Sequence, residues 1–367
     1  MRVCIIGGGN IGTAMAAYFS KNCYEVMVYS SRHEEFGKEI EAIDSEYGTS
    51  FFATIYATND LKYAVGDADI ICVTYPSFMI ESVFKQLCPL LKKETIIGVI
   101  PGTGGVEFFR EIVDGHTVFG LDRVPCIARI KMYGKSVYHS KKKSVRLAAF
   151  PKKHTKYLCD ILSKALGIDC FALDNYLTLT LTPSNPILHT TRTYTMLQNY
   201  EKGVFYPREF LFYKEWNDRA SEFLLGMDNE LQQICSSLWK IDLSGVISVM
   251  THYESKTIKE LTKKITSIKS LSKITFPMKE SQNGFVPNFA SRYFIEDVPY
   301  GLTILKGFAQ ITDVKTPYMD EVLRWNGKKM EEEYIDKSGK ILLNNKAVFP
   351  QKFGIKTVED IYNFYLE

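Results

Sequence analysis

The chain has 367 residues, of which 46% are hydrophobic, 13% aromatic and 24% charged. At about 150 residues per domain this length predicts two or three domains, and the composition excludes a disordered chain. With 45 basic and 42 acidic residues the net charge is only +3. Such a balance gives no electrostatic case for binding nucleic acid or an anionic membrane.

The cysteines and the N-terminus indicate the compartment. The eight cysteines form no C-x-x-C pair and several lie in apolar, strand-like runs, so we interpret them as reduced core thiols and predict no metal site. Only Arg2 precedes the first apolar run, which is too short for a signal peptide or a membrane span. We therefore expect a cytoplasmic protein with neither a nucleic-acid nor a membrane partner.

Residues 1 to about 174 alternate short apolar runs with helical patterns. The order of strand, helix and strand predicts an α/β fold in which a doubly wound parallel sheet is covered on both faces. The predicted strands are residues 2–6, 25–29, 70–74, 95–100, 117–120 and 144–150.

A glycine-rich segment of the G-x-G-x-x-G type directly follows the first predicted strand. Gly7 permits a tight turn, Gly9 lets the backbone approach a pyrophosphate, and Gly12 lets the following helix pack closely on the strand. The helix N-terminus adds amide donors. Because a second strand follows at the expected distance, the pattern favours a dinucleotide site over a purely structural turn. The residues assigned to the cofactor are Gly7, Gly9, Asn10, Ile11 and Gly12.

The end of the second predicted strand bears on which dinucleotide is bound. An NAD site usually has an acid here, but the sequence has Ser30, Ser31 and Arg32 instead. Two hydroxyls and a guanidinium suit a 2′-phosphate, because arginine gives it charge-assisted hydrogen bonds. These residues predict NADP as the cofactor, and NAD bound through other groups is the alternative.

Two loops at the carboxyl ends of later strands supply further candidate cofactor residues. Tyr75 and Pro76 follow one strand, and Gly102 follows the next. Ligands of doubly wound sheets bind at this edge, so we assign these three residues to the cofactor. Turn chemistry alone is the alternative explanation for either loop.

From about residue 175 the pattern becomes helical, and the chain is predicted to end in an all-helical domain. Apolar residues between Trp216 and Leu238 recur at helical spacing, which indicates a buried helix face. Residues 304–311 and 319–325 predict further helices. Residues 263–279 and 284–287 are predicted to be irregular connections.

His189 is the one histidine of six whose context suggests chemistry. Ser184 can cap a helix and Pro186 suits its first turn, so His189 would project from a helix start near the domain junction. The helix dipole there disfavours imidazolium, and a catalytic role requires a carboxylate partner. Without such a partner His189 is a structural histidine.

The segment 291–302 offers that carboxylate. Asp297 could orient His189 and stabilise its protonated form, and Arg292 could clamp a substrate carboxylate through two hydrogen bonds. Alternatively, Arg292 and Asp297 pair only with each other. The spacing does not decide between these arrangements.

Together these segments resemble the octopine/nopaline dehydrogenase family, also called opine dehydrogenases. The resemblance is carried by the N-P-x-x-H pattern ending at His189 and the R-x-x-x-E-D-V-P-x-G pattern beginning at Arg292. The P-G-x-G-G pattern at 101–105 and the V-K-T-P-Y-M-D sequence at 314–320 fit as well. With the glycine motif, the resemblance spans nearly the whole chain.

The resemblance implies a Rossmann domain, residues 1–174, joined to an all-helical domain, residues 175–367, with the substrates in the cleft between them. Family members reductively condense a 2-oxo acid, often pyruvate, with the amino group of an amino acid, using NADH or NADPH. The resemblance makes His189 and Asp297 the catalytic pair and Arg292 the anchor for the oxo-acid carboxylate. If the chain assembles, a homodimer is expected, because dimers are the commonest soluble assembly.

Two other functions remain open at this point. Glycerol-3-phosphate, ketopantoate and 3-hydroxy-acid dehydrogenases have the same N-terminal fold, but they use a catalytic lysine of the helical domain, and no lysine here has a comparable context. A non-catalytic NADPH sensor has little use for a His, an Asp and an Arg that converge. The identity of the amino acid also stays open, because no side chain is singled out among Tyr200, Tyr206, Phe210, Tyr213 and Trp216.

Overall fold

The computed structural model describes residues 1–182 and 185–366 of the chain. These residues divide into two compact units, 1–180 and 181–366. The predicted limits of the functional domains, residues 174 and 175, lie a few residues before this division and stay a prediction.

The first unit is built on parallel strands with helices between them. Its strands are β1 (Arg2–Ile6), β2 (Glu25–Tyr29), β3 (Glu39–Asp44), β4 (Ser50–Thr54), β5 (Tyr56–Thr58), β6 (Ile70–Val73), β7 (Ile96–Val99), β8 (Thr117–Leu121), β9 (Cys126–Met132), β10 (Ser136–Lys141), β11 (Ser144–Phe150) and β12 (Asp169–Ala172). Its helices are α1 (Asn10–Lys21), α2 (Leu61–Val65), α3 (Ile80–Leu87), α4 (Thr155–Leu166) and α5 (Tyr176–Leu181), the last of which ends at the division.

The main sheet has eight strands in the order β12-β11-β8-β7-β6-β1-β2-β5. Neighbouring strands are parallel except β8 and β11, which are antiparallel. The central strand β1 is buried from Val3 to Ile6, as a strand covered on both faces must be. The prediction of a doubly wound α/β domain is confirmed, and each of the six predicted strands occurs with its ends within one residue.

A second, four-stranded sheet with the order β4-β3-β10-β9 was not predicted. Its strands bury one face only, so charged residues alternate with apolar ones, as in the sequence of β9, CIARIKM. Such strands have no continuous apolar run, which is the signal that identified six of the eight strands of the main sheet.

The second unit is helical, as predicted. Its helices are α6 (Asn185–Leu197), α7 (Asp218–Ser237), α8 (Val249–His252), α9 (Ile258–Ser267), α10 (Arg292–Ile295), α11 (Thr303–Ile311), α12 (Pro317–Met330) and α13 (Val358–Leu366). The buried stripe predicted between Trp216 and Leu238 lies on α7, and the two later predicted helices correspond to α11 and α12.

Two predictions of irregular connections in this unit were wrong. Residues 284–287 form β14 (Gly284–Pro287), which pairs in a small hairpin with β13 (Met278–Ser281) beside the helices. Strands of four residues are too short to show the alternation of apolar and polar side chains by which a strand is predicted. The lysine-rich stretch beginning at residue 263 is also helical at first, since α9 buries Leu261 and Ile265 on one face and leaves its lysines outside.

The glycines at the start of α1 differ in what surrounds them. A Cβ on Gly12 would lie 1.8 Å from the carbonyl oxygen of Gly7, whereas a Cβ on Gly9 would meet nothing within 4 Å. Gly12 is therefore needed for the helix to approach the strand, and Gly9 leaves open space above the loop.

We predict that Gly12→Ala lowers the free energy of unfolding by about 1–3 kcal/mol, because backbone atoms must move to admit the methyl group. Gly9→Ala, the matched control, should cost less. Thermal or denaturant unfolding without added nucleotide measures both variants. Equal losses would contradict the steric explanation.

Candidate active site

The predicted cofactor residues lie on one edge of the main sheet. Strands β7, β6, β1 and β2 are consecutive and parallel, so their carboxyl ends share that edge. The glycine loop follows β1, Ser30 follows β2, Tyr75 follows β6 and Gly102 comes shortly after β7. Ligands of open parallel sheets bind at this edge.

The glycine loop makes a tight turn and leaves open space at the start of α1. Gly7 has a φ of +112°, a conformation that residues with a side chain rarely adopt, and its amide donates to the carbonyl of Tyr29 at 3.1 Å. Gly9 is the N-cap residue of α1, and the space beside it is open. The loop can therefore bring a pyrophosphate to the N-terminus of α1.

The two residues between Gly9 and Gly12 have structural contacts of their own. The Oδ1 atom of Asn10 accepts a hydrogen bond from the backbone N–H of Ile130 at 2.8 Å. Ile11 packs against the hydrophobic core of this unit. Their assignment to the cofactor stays a prediction.

The segment after β2 contains an acid that the motif analysis missed. The Arg32 guanidinium donates to both carboxylate oxygens of Glu35, at 2.5 and 2.6 Å, and lies 3.7 Å from the centre of the Tyr133 ring. Ser30 is buried, and its Oγ accepts from the Arg32 amide at 3.1 Å, whereas Ser31 is exposed. Arg32, the residue predicted to bind the 2′-phosphate, therefore already has an anionic partner in Glu35.

The later cofactor candidates also have packing functions. The Tyr75 ring lies beside Gly7, since a Cβ on Gly7 would be 3.0 Å from Tyr75 Cε1. Pro76 precedes a short 3₁₀ helix. A Cβ on Gly102 would lie 2.3 Å from the Cα of Gly120, so close packing alone requires glycine there. Contact of these residues with a cofactor stays a prediction.

In the second unit, His189 and Asp297 are hydrogen-bonded. His189 lies in the second turn of α6 and is 7% exposed. Its Nδ1 lies 2.8 Å from Asp297 Oδ2, and its Nε2 lies 3.1 Å from the Tyr213 hydroxyl. Because the carboxylate can only accept, it fixes the ring as the Nδ1–H tautomer when the imidazole is neutral, and the Tyr213 hydroxyl then donates to Nε2.

A close backbone approach brings the pair together. Asp297 precedes a helical turn at residues 298–302, and a Cβ on Gly301 in this turn would lie only 2.5 Å from Cγ of Pro186 at the start of α6. The absence of a side chain at Gly301 therefore lets the segment carrying Asp297 lie against the helix carrying His189. The predicted cap residue of this helix, Ser184, lies outside the described residues.

Arg292 is not the partner of Asp297. It begins α10, and its Nε donates to Glu296 one turn later. Its side chain is 64% exposed, whereas the Glu296 side chain is 11% exposed. The alternative in which Arg292 and Asp297 pair only with each other is therefore wrong for this structure, and Asp297 is left to hold His189.

Tyr213 is the contact of His189 that sequence reasoning did not single out. It lies outside the named helices, 24 residues after His189, so no helical spacing connects the two. Burial first, and then the nearby Tyr293, Tyr253 and Asp297, raise the pKa of its phenol. The hydroxyl therefore stays protonated at neutral pH and remains a donor.

Two further properties concern the described residues only. Across residues 1–182 and 185–366, no helix is both long enough and apolar enough to span a bilayer. Within the same ranges, no group of three or more His, Cys, Asp or Glu side chains is arranged to hold a metal ion.

Comparisons with known proteins agree with this arrangement. Residues 172–330 match the family described as NAD/NADP octopine/nopaline dehydrogenase, alpha-helical domain, and residues 2–114 match the NAD-dependent glycerol-3-phosphate dehydrogenase N-terminus. An opine dehydrogenase of Haliotis discus hannai is 29% identical over 83% of this chain and 80% of its own length. An octopine dehydrogenase of Pecten maximus is 26% identical over 98% of both chains.

A solved structure of octopine dehydrogenase with NADH and L-arginine matches the fold with a TM-score of 0.84 at 23% identity, covering 98% of this chain and 97% of the other. The predicted resemblance is thus confirmed along the chain, since the N-terminal unit has a Rossmann-like fold and the helical unit carries the octopine dehydrogenase domain. The chain is an NAD(P)-dependent oxidoreductase related to the opine dehydrogenases.

Proposed function

We propose that this protein condenses a 2-oxo acid with the amino group of an amino acid and reduces the product to an opine. The observation that carries the proposal is the buried hydrogen bond between His189 Nδ1 and Asp297 Oδ2. Both residues lie within residues 172–330, which match the octopine/nopaline dehydrogenase domain. Relatives named opine, tauropine and octopine dehydrogenase support the same chemistry.

The reaction needs a proton at a defined place. Attack of the amine on the oxo group builds negative charge on oxygen, and this oxygen needs two protons before it can leave as water. One proton comes from the attacking amine nitrogen and His189 supplies the other, while Asp297 stabilises the imidazolium and fixes the ring. Bound NAD(P)H supplies the hydride that reduces the resulting imine. In the reverse direction neutral His189 accepts the proton from the secondary amine.

Arg292 is proposed to anchor the carboxylate of the oxo acid. Its side chain is 64% exposed, and a guanidinium can give a carboxylate two parallel charge-assisted hydrogen bonds. The contact with Glu296 holds one side of the guanidinium and limits its rotation. A fixed anchor lowers the entropic cost of orienting the oxo group.

The rival two-domain reductases depend on a lysine, and the buried lysine of this helical unit is otherwise engaged. The Lys306 ammonium donates to Thr316 Oγ1 at 2.7 Å and lies 2.6 Å from Asp320 Oδ1. This ion pair joins α11 to α12 and does not include His189. A non-catalytic sensor gives no reason for a histidine held in one tautomer.

The proposal predicts that NAD(P)H is consumed only when a 2-oxo acid and an amino acid are both present. Screening pairs of these compounds by the absorbance of the reduced cofactor tests it. His189→Gln should lower turnover about 100- to 10,000-fold, because the proton donor is lost, while cofactor affinity stays the same.

His252→Gln is the matched control, because His252 is an exposed histidine of the same unit. Consumption of cofactor with an oxo acid alone would favour the rival reductases. Cofactor binding without oxidation by any pair would favour the sensor.

We infer a preference for NADPH over NADH. Support comes from Ser30, Ser31 and Arg32 at the end of β2, where an NAD-specific site usually has an acid. Glu35 opposes this preference, because its carboxylate occupies Arg32 and would repel a 2′-phosphate. The Glu35 side chain is 48% exposed, so it can turn into solvent when a phosphate takes its place.

Arg32→Asp should weaken NADPH binding about 10- to 100-fold, because charge-assisted hydrogen bonds are replaced by repulsion. Glu35→Gln should strengthen NADPH binding. Binding titrations of each variant with NADPH and with NADH measure both effects, and NADH is the internal control. Equal changes for the two nucleotides would remove the inferred preference.

The cytoplasmic location, the homodimer and the absence of nucleic-acid and membrane partners stay predictions. The amino acid and the 2-oxo acid are to be identified by the same screen.

A further inference from the structure

We propose that Tyr213 relays the proton between His189 and the substrate oxygen. This inference deepens the proposed function and rests on it. It starts from the contact that the His189 Nε2 atom makes with the Tyr213 hydroxyl, 3.1 Å away in the interior of the helical unit.

His189 can exchange a proton with the substrate only through its Nε2 atom. Its Nδ1 is committed to Asp297, and Nε2 has a single in-plane position for a proton or a lone pair. The Tyr213 hydroxyl occupies that position. A proton that leaves Nε2 along this line therefore reaches the tyrosine oxygen first.

The histidine ring cannot readily turn to a different acceptor. Tyr293 lies 4.4 Å from it and Phe212 lies 5.5 Å from it, measured between ring centres, and both contact it edge-on. With Asp297 on Nδ1, three neighbours fix the orientation of the imidazole. Its Nε2 stays directed at Tyr213.

The segment that carries Tyr213 is fixed as well. Arg192 lies one turn after His189 on α6 and is only 3% exposed. Its guanidinium donates to the carbonyls of Phe212 and Glu215, at 2.9 and 2.7 Å, and these two residues bracket Tyr213 in the sequence. Burial lowers the pKa of Arg192 to about 10, which still leaves the charge in place at neutral pH.

The far side of the same segment is also held. The Phe212 amide donates to the carbonyl of Ile274 at 2.8 Å, and the Trp216 amide donates to the carbonyl of Tyr213 at 3.2 Å. Tyr213 itself is 7% exposed. A hydroxyl held in this way is suited to pass a proton on and poorly suited to swing aside for the substrate.

The proton transfer is balanced without any additional reactant. The Nε2–H bond of protonated His189 breaks, and its electron pair remains on nitrogen. The proton bonds to Tyr213 Oη while the original phenolic proton moves to the hydroxyl oxygen of the carbinolamine. The C–O bond of the carbinolamine then breaks, water leaves, and the nitrogen lone pair forms the C=N bond of a protonated imine. His189 ends neutral, with Nδ1–H still donating to Asp297, and Tyr213 ends protonated.

The first test is Tyr213→Phe, which removes the hydroxyl and keeps the ring. The relay predicts that turnover falls about 100- to 10,000-fold, with unchanged cofactor affinity and little change in Tm. The matched control is Tyr334→Phe, because Tyr334 is also a buried tyrosine of the helical unit and its hydroxyl contacts the sulfur of Met330. This control should retain the wild-type rate.

The second test uses the wild-type enzyme and does not depend on the folding of any variant. The rate is measured in mixtures of H₂O and D₂O. Two protons moving together give a bowed dependence on the deuterium fraction, and a single proton gives a straight line. We expect a bowed line for the wild type and, where the residual activity is measurable, a straight line for Tyr213→Phe.

A Tyr213→Phe variant that folds and works within about threefold of the wild type would overturn the relay, and so would a straight line for the wild type. A variant faster than the wild type would instead show that the hydroxyl blocks Nε2. These failures differ from failure of the proposed function, which would appear in the wild type as no consumption of cofactor with any substrate pair.

Discussion

The chemistry proposed for this protein depends on the buried hydrogen bond between His189 and Asp297. The Asp297 carboxylate lies 2.8 Å from Nδ1 of His189 and can only accept a hydrogen bond, so it fixes the tautomer of the neutral ring. The bond exists because Gly301 has no side chain and can lie directly against Pro186. Two short segments, 186–189 and 297–301, that are far apart in the sequence thus form one hydrogen-bonded arrangement.

The two units differ in how they place their polar groups. The N-terminal unit leaves open space at the start of α1. Gly7 permits the turn, Gly9 leaves the space open, and Gly12 allows the helix to pack closely on the strand. The helical unit buries charged groups against specific partners, such as Arg192 with two carbonyls and Lys306 with Asp320. Anion binding needs accessible donors, whereas acid–base chemistry needs fixed and shielded ones.

The sequence was informative where local chemistry dictates structure. Apolar runs located six of the eight strands of the main sheet, all except β5 and β12, and the residues around His189 and Asp297 suggested that these two side chains pair. It was uninformative where structure depends on distant contacts. Nothing local distinguishes Tyr213 from neighbouring aromatic residues, because its contact with His189 arises from the fold of the segment that Arg192 holds. Glu35 was overlooked because the search for an acid at the end of β2 considered only the first residues after that strand. The second sheet was overlooked because its strands are half-exposed and have no continuous apolar run.

Asp297 holds His189 as the Nδ1–H tautomer in this structure, and the ¹⁵N chemical shifts of the imidazole nitrogens measure that tautomer in solution. The spectrum is recorded on nucleotide-free protein labelled in histidine, at a pH high enough to leave the ring neutral, and the signals are assigned by comparison with a His189 variant. The account predicts a protonated Nδ1 and an Nε2 with the shift of a hydrogen-bond acceptor. A proton on Nε2 would contradict it, because Asp297 would then have no donor and Tyr213 no acceptor.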